Sequence, residues 1–240
     1  NNILRFIPQV KQFIYATKGD ALYVNLFTEN EANIKLASNT IDIKQETDYP
    51  WNGEVKIAVN PVKSGRFTIN LRIPGWAHNK PVPSDLYRYH EKIRATPVIK
   101  VNDELLIQNG TQKGFIQLDR KWKKGDVIHI SLPMKSRRVI THERVEANQN
   151  KVALEYGPLV YCAEWPDNPS VHDIAIPDDA ELKAIFRQDL LNGIATIEGK
   201  VTDTSGNIQN MVAIPYYAWA HRGEGDMAVW LNRNNTLKNN

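Results

Sequence analysis

The stretch Glu54 to Ala77, "EVKIAVNPVKSGRFTINLRIPGWA", decides the fold. Val55, Ile57 and Val59 alternate with Lys56, Ala58 and Asn60. Phe67, Ile69, Leu71 and Ile73 alternate in the same way with Thr68, Asn70 and Arg72. Successive side chains of a strand point to opposite faces, so a period of two buries one face and wets the other. Pro61 and Gly65 bracket a turn between the two runs. The spacing predicts two strands paired as a hairpin.

The same period spreads outward. "DALYVNLFTEN" (Asp20 to Asn30) sets Leu22, Val24 and Leu26 against Tyr23, Asn25 and Phe27. "NIKLASNTIDIKQETDYPWNG" gives two short strands broken at Ser38-Asn39. "PVIKVNDELL" turns at Asn102-Asp103, and "GFIQLDRKWKKGDVIHISLPM" turns at Lys124-Gly125-Asp126. Further strands lie in "RRVITHERVEANQNKVALEYGPLVYCAEW" and "IATIEGKVTD", while "DDAELKAIFRQDLLNG" fits either a helical turn or an extended segment. Residues 77–97 are polar, carry three prolines and read as a long surface loop. "MVAIPYYAWAHRGEGDMAVWL" (Met211 to Leu231) reads as a closing hairpin that turns at Gly223-Glu224-Gly225. Helical spacing occurs only at Ile3, Leu4, Ile7, Val10 and Ile14.

The expected class is therefore mainly β: two β-sandwich domains behind a short N-terminal helix. The helix takes residues 1–14, the first sandwich 15–135 and the second 136–240. The boundary is placed near Pro133 to Arg138, and one option for the last hairpin (about 211–231) is to pack back on the first sandwich.

Composition excludes several classes. The 240 residues carry 30 basic and 27 acidic side chains, well interspersed, for a net charge of +3. That is no concentrated basic face for nucleic acid. "KWKKG" (Lys121 to Gly125) reads as a solvated strand end. No run of about 18 apolar residues is present to cross a membrane as a helix. The N-terminus lacks the parts of a signal peptide, and periplasmic, secreted and cytoplasmic bacterial locations stay open. The abrupt helical start is expected of a piece of a longer protein.

Each candidate chemistry meets a plainer reading. "HERVE" (His142 to Glu146) lacks the second histidine of a HExxH zinc site. The single cysteine, Cys162, lies inside an apolar strand, where a reactive thiolate is disfavoured. Asp85, Glu91, Glu155, Glu164, Glu224 and Asp226 are all nominees for the paired carboxylates of glycoside hydrolysis. Spacing alone does not say which of them converge. Phosphate-binding glycine motifs are missing. The aromatic stretches are the best signal. Trp76 and His78 lie in "IPGWAHN", and Trp219, His221 and Arg222 lie in "YYAWAHRG". A tryptophan face stacks on sugar C–H groups, and histidine or arginine bonds hydroxyls. Core packing explains the same tryptophans. His221 and Arg222, at the hairpin end, are the expected exposed pair.

Five blocks in order carry a resemblance: "LRFIPQVKQFIYATKGDALYVNLF", "LRIPGWA", "KWKKGDVIHISLPM", "KVALEYGPLVYCAE" and "IPYYAWAHRGEGDMAVWL". Together they resemble the C-terminal part of the β-L-arabinofuranosidase-like glycoside hydrolases, known from gut Bacteroides and bifidobacteria. The resemblance covers Leu4 to Leu231. It implies a catalytic (α/α)6 barrel followed by β-sandwiches, so that residues 1–14 would be the end of the last barrel helix. It also implies a zinc-held cysteine nucleophile with a glutamate and further cysteines, expected just upstream of Asn2-Ile3-Leu4-Arg5-Phe6. No residue of this chain matches those ligands. Zinc is expected only in the catalytic barrel, and no cofactor is expected in this chain.

Three readings follow. The first is a non-catalytic accessory or structural region of a glycoside hydrolase acting on arabinose-containing plant-type glycans, inactive alone. Its partners would be the catalytic barrel of the same protein and an oligosaccharide, with no nucleic acid and no membrane. The second is an autonomous carbohydrate-binding module, which needs an exposed aromatic platform. The third is a hydrolase working through paired acids of this chain.

Overall fold

The computed structural model describes residues 2–106 and 110–234. The chain divides into two compact units, Asn1–His78 with Ala95–Pro133, and Asn79–Arg94 with Met134–Asn240. Eleven strands come first: β1 (Tyr15–Lys18), β2 (Ala21–Val24), β3 (Asn30–Lys35), β4 (Thr40–Thr47), β5 (Glu54–Pro61), β6 (Gly65–Arg72), β7 (Tyr87–Tyr89), β8 (Val98–Val101), β9 (Glu104–Leu105), β10 (Phe115–Trp122) and β11 (Asp126–Ser131). Nine follow: β12 (Ser136–Thr141), β13 (Lys151–Tyr156), β14 (Leu159–Glu164), β15 (Ile174–Pro177), β16 (Leu182–Arg187), β17 (Ile194–Asp203), β18 (Ile208–Pro215), β19 (Met227–Ala228) and β20 (Leu231–Asn234).

The first unit holds a sheet ordered β1-β2-β6-β10 and a sheet ordered β3-β4-β5-β11-β8-β9. Each sheet buries alternate residues. Leu22, Val24, Ile69, Leu71, Ile116 and Leu118 are buried from one, and Ile41, Ile43, Val55, Ile57, Ile128 and Ile130 from the other. Polar bridges tie the two sheets. Tyr15 donates its hydroxyl to Asn30 Oδ1 at 2.9 Å, and the fully buried Gln45 donates to the Tyr15 oxygen at 2.9 Å.

The stretch Glu54 to Ala77 forms both expected strands but not the expected hairpin. β5 pairs with β4 and β11, while β6 pairs with β2 and β10. The chain crosses between sheets at residues 61–65, and β10 and β11 make the same kind of crossing. An apolar period of two is satisfied equally by a neighbour in the same sheet and by one in the facing sheet. The Asn102-Asp103 turn is a true hairpin between β8 and β9, with both residues at positive φ, 51° and 66°. Alternation also fails past Val24. Leu26 is 40% exposed and Phe27 is buried, because β2 ends there.

In the second unit the strand path is β19-β14-β18-β17-β15-β20-β13-β12-β7, with β16 on β17 and an added β14–β13 pairing. β13, β14, β18, β17, β15 and β20 thus form a closed circuit. Only the β15–β20 pairing in it is parallel. An odd number of antiparallel steps cannot close a regular barrel, so strands bend at corners, as they do where sandwich layers exchange strands. The core gathers Val152, Leu154, Ile174, Ile176, Ile197, Val201, Met211 and Leu231 around Tyr161, whose hydroxyl donates to the Ala195 carbonyl at 2.8 Å. At Gly199 a Cβ would stand 2.5 Å from the Glu181 carbonyl oxygen, so the β16–β17 crossing requires glycine.

One open reading is resolved and two further expectations change. The 182–187 segment is extended, as β16. The loop read at 77–97 contains β7, and Asn79–Arg94 groups with the second unit rather than the first. Asn79, at φ 62°, exchanges two hydrogen bonds with Ile93 and accepts one from Arg137 at 2.6 Å, which clips both ends of that segment. Met211 to Leu231 is not a hairpin. β18 and β19 lie on opposite edges of β14, and β20 pairs with β13 and β15.

The N-terminal segment is an α-helix (Asn2–Phe6) continuing into a 3-10 helix (Ile7–Phe13). Pro8 has no N–H to donate to an i−4 carbonyl, so the α-helical ladder cannot run on. Ile3, Leu4, Phe6, Ile7 and Phe13 are all more than half exposed.

Trp122 shows how a basic stretch conceals a core anchor. The neighbouring lysines face solvent while the indole is fully buried, 6.0 Å from the Phe67 ring and donating to the Phe67 carbonyl at 3.0 Å. Trp122→Ala is expected to cost about 3–5 kcal/mol. Trp122→Phe, which loses that hydrogen bond, is expected to cost about 1–3 kcal/mol. Urea unfolding of the two variants measures both.

Candidate functional site

The two "WAH" triplets have opposite fates. Trp76 and His78 sit in a 3-10 turn (Gly75–His78) of the first unit, with Trp76 buried and His78 half-buried. Burial pushes the neighbouring Tyr49 phenol up to about 12, against the opposing hydrogen bond it shares with Trp76. That triplet is packing.

The second triplet lies on the second unit's surface. After β18 the 3-10 turn Tyr216–Ala218 buries Ala218, and this turns its neighbours outward. Tyr216 is 45% exposed, Tyr217 57% and Trp219 40%. His221 is exposed as well. The loop is fastened from below by Glu164, at the end of β14 and 1% exposed. Ala220, at φ 64°, donates its N–H to Glu164 Oε1 at 2.7 Å. Arg222 donates to Glu164 Oε2 through Nε at 3.1 Å and Nη2 at 2.6 Å, and through Nη2 to Asp167 Oδ2 at 2.6 Å. Burial opposes the guanidinium charge, but Asp167 and Glu164 outweigh it and hold its pKa above the ordinary arginine value. Arg222 was expected to be an exposed partner of His221; it is instead a half-buried buckle. Trp165, 40% exposed, lies under the loop, and a Cβ at Gly225 would fall 2.0 Å from its ring. The Trp165 backbone N–H donates to the Asp226 carbonyl at 3.0 Å.

Sequence reasoning placed Trp219, His221 and Arg222 together but missed Trp165 and the role of Glu164. The available signal was an acid closing the apolar run "LVYCAE", since a buried carboxylate needs a cation nearby.

The nominated acids do not face one another across a cleft. Glu164 and Asp167 share one arginine nitrogen, which brings their oxygens within about 5 Å, a retaining-glycosidase spacing. The guanidinium occupies the gap, so no substrate enters it. Glu155 accepts the Tyr89 hydroxyl at 2.6 Å, while the Arg137 guanidinium lies 3.2 Å from the Tyr89 ring centre. Asp85 pairs with Arg144 on the surface, and His142 Nδ1 accepts the Arg144 backbone N–H. Glu224 and Asp226 lie on the exposed loop. Burial pushes the Cys162 thiol up to about 12, the opposite of nucleophile activation. Among the described residues no three His, Cys, Asp or Glu side chains converge as a metal site, so the residues present do not fit a zinc centre.

Stacked β-sheets, a surface aromatic loop and acids committed to arginines and tyrosines define a mainly β region whose buried acids are already partnered. The chain belongs to glycoside hydrolase family 127: its middle-domain model (β-L-arabinofuranosidase) matches residues 21–134, and its C-terminal-domain model matches residues 136–232. A non-reducing end β-L-arabinofuranosidase of Bifidobacterium longum subsp. longum is 27% identical over 97% of this chain and 36% of its own length. Two solved structures superpose closely. The GH127 β-arabinofuranosidase BT3674 has a TM-score of 0.90 at 39% identity, over 97% of this chain and 38% of that one. A GH127 β-L-arabinofuranosidase from Geobacillus stearothermophilus T6 has a TM-score of 0.86 at 34% identity, over 97% and 37%. The chain thus spans little more than a third of each relative's length.

Two predictions follow from this chemistry. Arg222→Ala leaves Glu164 buried without its cation and is expected to cost about 3–5 kcal/mol, read by chemical denaturation. Burial raises the Glu155 carboxyl above 4.5, against the Tyr89 hydrogen bond and Arg137. The folded state therefore binds this proton more tightly than the unfolded chain does, so its stabilising contribution is full below 4.5 and is lost as pH rises through the folded pKa. Measured against Glu155→Gln, the wild type should lose stability over that rise. A flat difference would refute the assignment.

Proposed function

We propose that this chain is the non-catalytic β-sandwich region of a glycoside hydrolase acting on arabinose-containing glycans, and that its work is structural. The observation that carries the reading is the N-terminal helical segment. Ile3, Leu4, Phe6, Ile7 and Phe13 hold an apolar face in water within a dozen residues. A soluble domain rarely leaves such a face uncovered, and it suits packing against a catalytic domain of the same protein. The buried thiol and the arginine-bound acids support inactivity of these residues on their own. The arabinofuranosidase activity carried in the names of the relatives supports arabinose-containing glycans as the substrate class of the whole protein. Zinc chemistry belongs, in this reading, to that catalytic domain.

The purified chain is expected to release no p-nitrophenol from an aryl β-L-arabinofuranoside. It is also expected to self-associate in analytical ultracentrifugation, and Ile3→Glu with Phe6→Glu should return it to a monomer. Turnover abolished by Glu224→Ala or Asp226→Ala would overturn the reading in favour of a hydrolase built from these acids.

A further inference from the structure

We propose that the 216–226 loop, with Trp165 beneath it, is a contact surface for a neutral oligosaccharide. The rings of Tyr217 and Trp219 take the sugar, His221 takes a hydroxyl, Trp165 supports the loop from beneath, and Glu164 and Arg222 are positioning residues. The ligand class rests on the glycoside hydrolase reading; the surface rests on three independent features.

The first is exposure. Trp165, Tyr216, Tyr217 and Trp219 are each 40% or more exposed within one small part of the second unit. Large flat rings bind the C–H faces of sugars well, and their edges carry N–H and O–H donors.

The second is preorganisation. A residue without glycine's freedom, Ala220, is held at φ 64° by the buried Glu164 carboxylate. Backbone held in a sparsely populated region persists only where its surroundings impose it. Arg222 ties the loop a second time, and Gly225 lets it lie flat on the Trp165 ring, where a side chain would collide. A loop already ordered does not have to be ordered on binding, which is how a weak stacking surface gains affinity.

The third is charge. Arg222 is consumed by two carboxylates, Glu164 and Asp167, and Glu224 and Asp226 add further negative charge on the loop. Glu164, Asp167, Glu224 and Asp226 stand here against the one arginine. Such a surface repels uronic acids, phosphates and anionic polymers and accepts uncharged sugars.

Titration calorimetry of the 240-residue chain tests this with arabinohexaose, and with a galacturonic acid hexamer as the anionic control. Saturable binding of arabinohexaose is expected, with none for the acidic hexamer. Trp219→Ala should weaken binding about tenfold or more at an unchanged melting temperature. Arg222→Ala should weaken it at a temperature where the variant is folded, and Arg222→Lys should recover most of the loss. Absence of saturable binding, equal binding of the acidic hexamer, or wild-type affinity in Trp219→Ala would overturn the proposal. Dimerisation abolished by Trp219→Ala would assign the surface to a second protein chain and overturn it too. Failure here with zero turnover and helix-driven association intact removes the sugar surface and leaves the structural role standing.

Discussion

A sheet with one apolar face has to cover that face, and this single requirement organises both units. In the first, two sheets meet it by facing each other, with alternate residues of every long strand turned inward. In the second, one ten-stranded sheet meets it by bending until β14 finds β13 again. Two of the large buried polar groups are held by partners: the Trp122 indole by the Phe67 carbonyl, and the Tyr161 hydroxyl by the Ala195 carbonyl. Unpaired, each would forfeit the hydrogen bond it gave up in water.

Strands were legible in the sequence and their partners were not, for a physical reason. A period of two reports that one face is buried; it carries no information on what buries it. Hence β5 and β6 were found with their turn, yet they belong to different sheets. A local code for pairing exists only where the turn itself imposes the geometry, as at Asn102-Asp103, whose left-handed pair of residues closes a tight hairpin. The 79–94 segment defeated the same reasoning. Its polarity is that of a loop, and its one buried anchor, Tyr89, earns its place through Arg137 and Glu155, 48 and 66 residues away in sequence.

The aromatic loop was legible as composition and illegible as structure. Two copies of Trp-Ala-His, one buried and one exposed, show that side-chain identity does not fix the outcome. In the second copy Ala218 takes the buried slot and leaves the tryptophan outside. The carboxylate that decides the loop's shape lies 56 residues before Ala220, a distance that no local pattern spans. Resemblance across five ordered blocks accomplished more than spacing did, because it integrates such long-range constraints.

The crossings between sheets have a consequence for how the chain is made. β6 is complete at Arg72, but its partner β10 starts only at Phe115, and β5 waits still longer for β11. β7 is synthesised before either and waits for β12. At ribosomal speeds these open edges persist for roughly a few seconds. The nascent chain therefore carries unpaired strand edges from two unfinished units at once. Order of synthesis and order of assembly are out of step, because the edges that wait belong to strands whose partners come later in the chain.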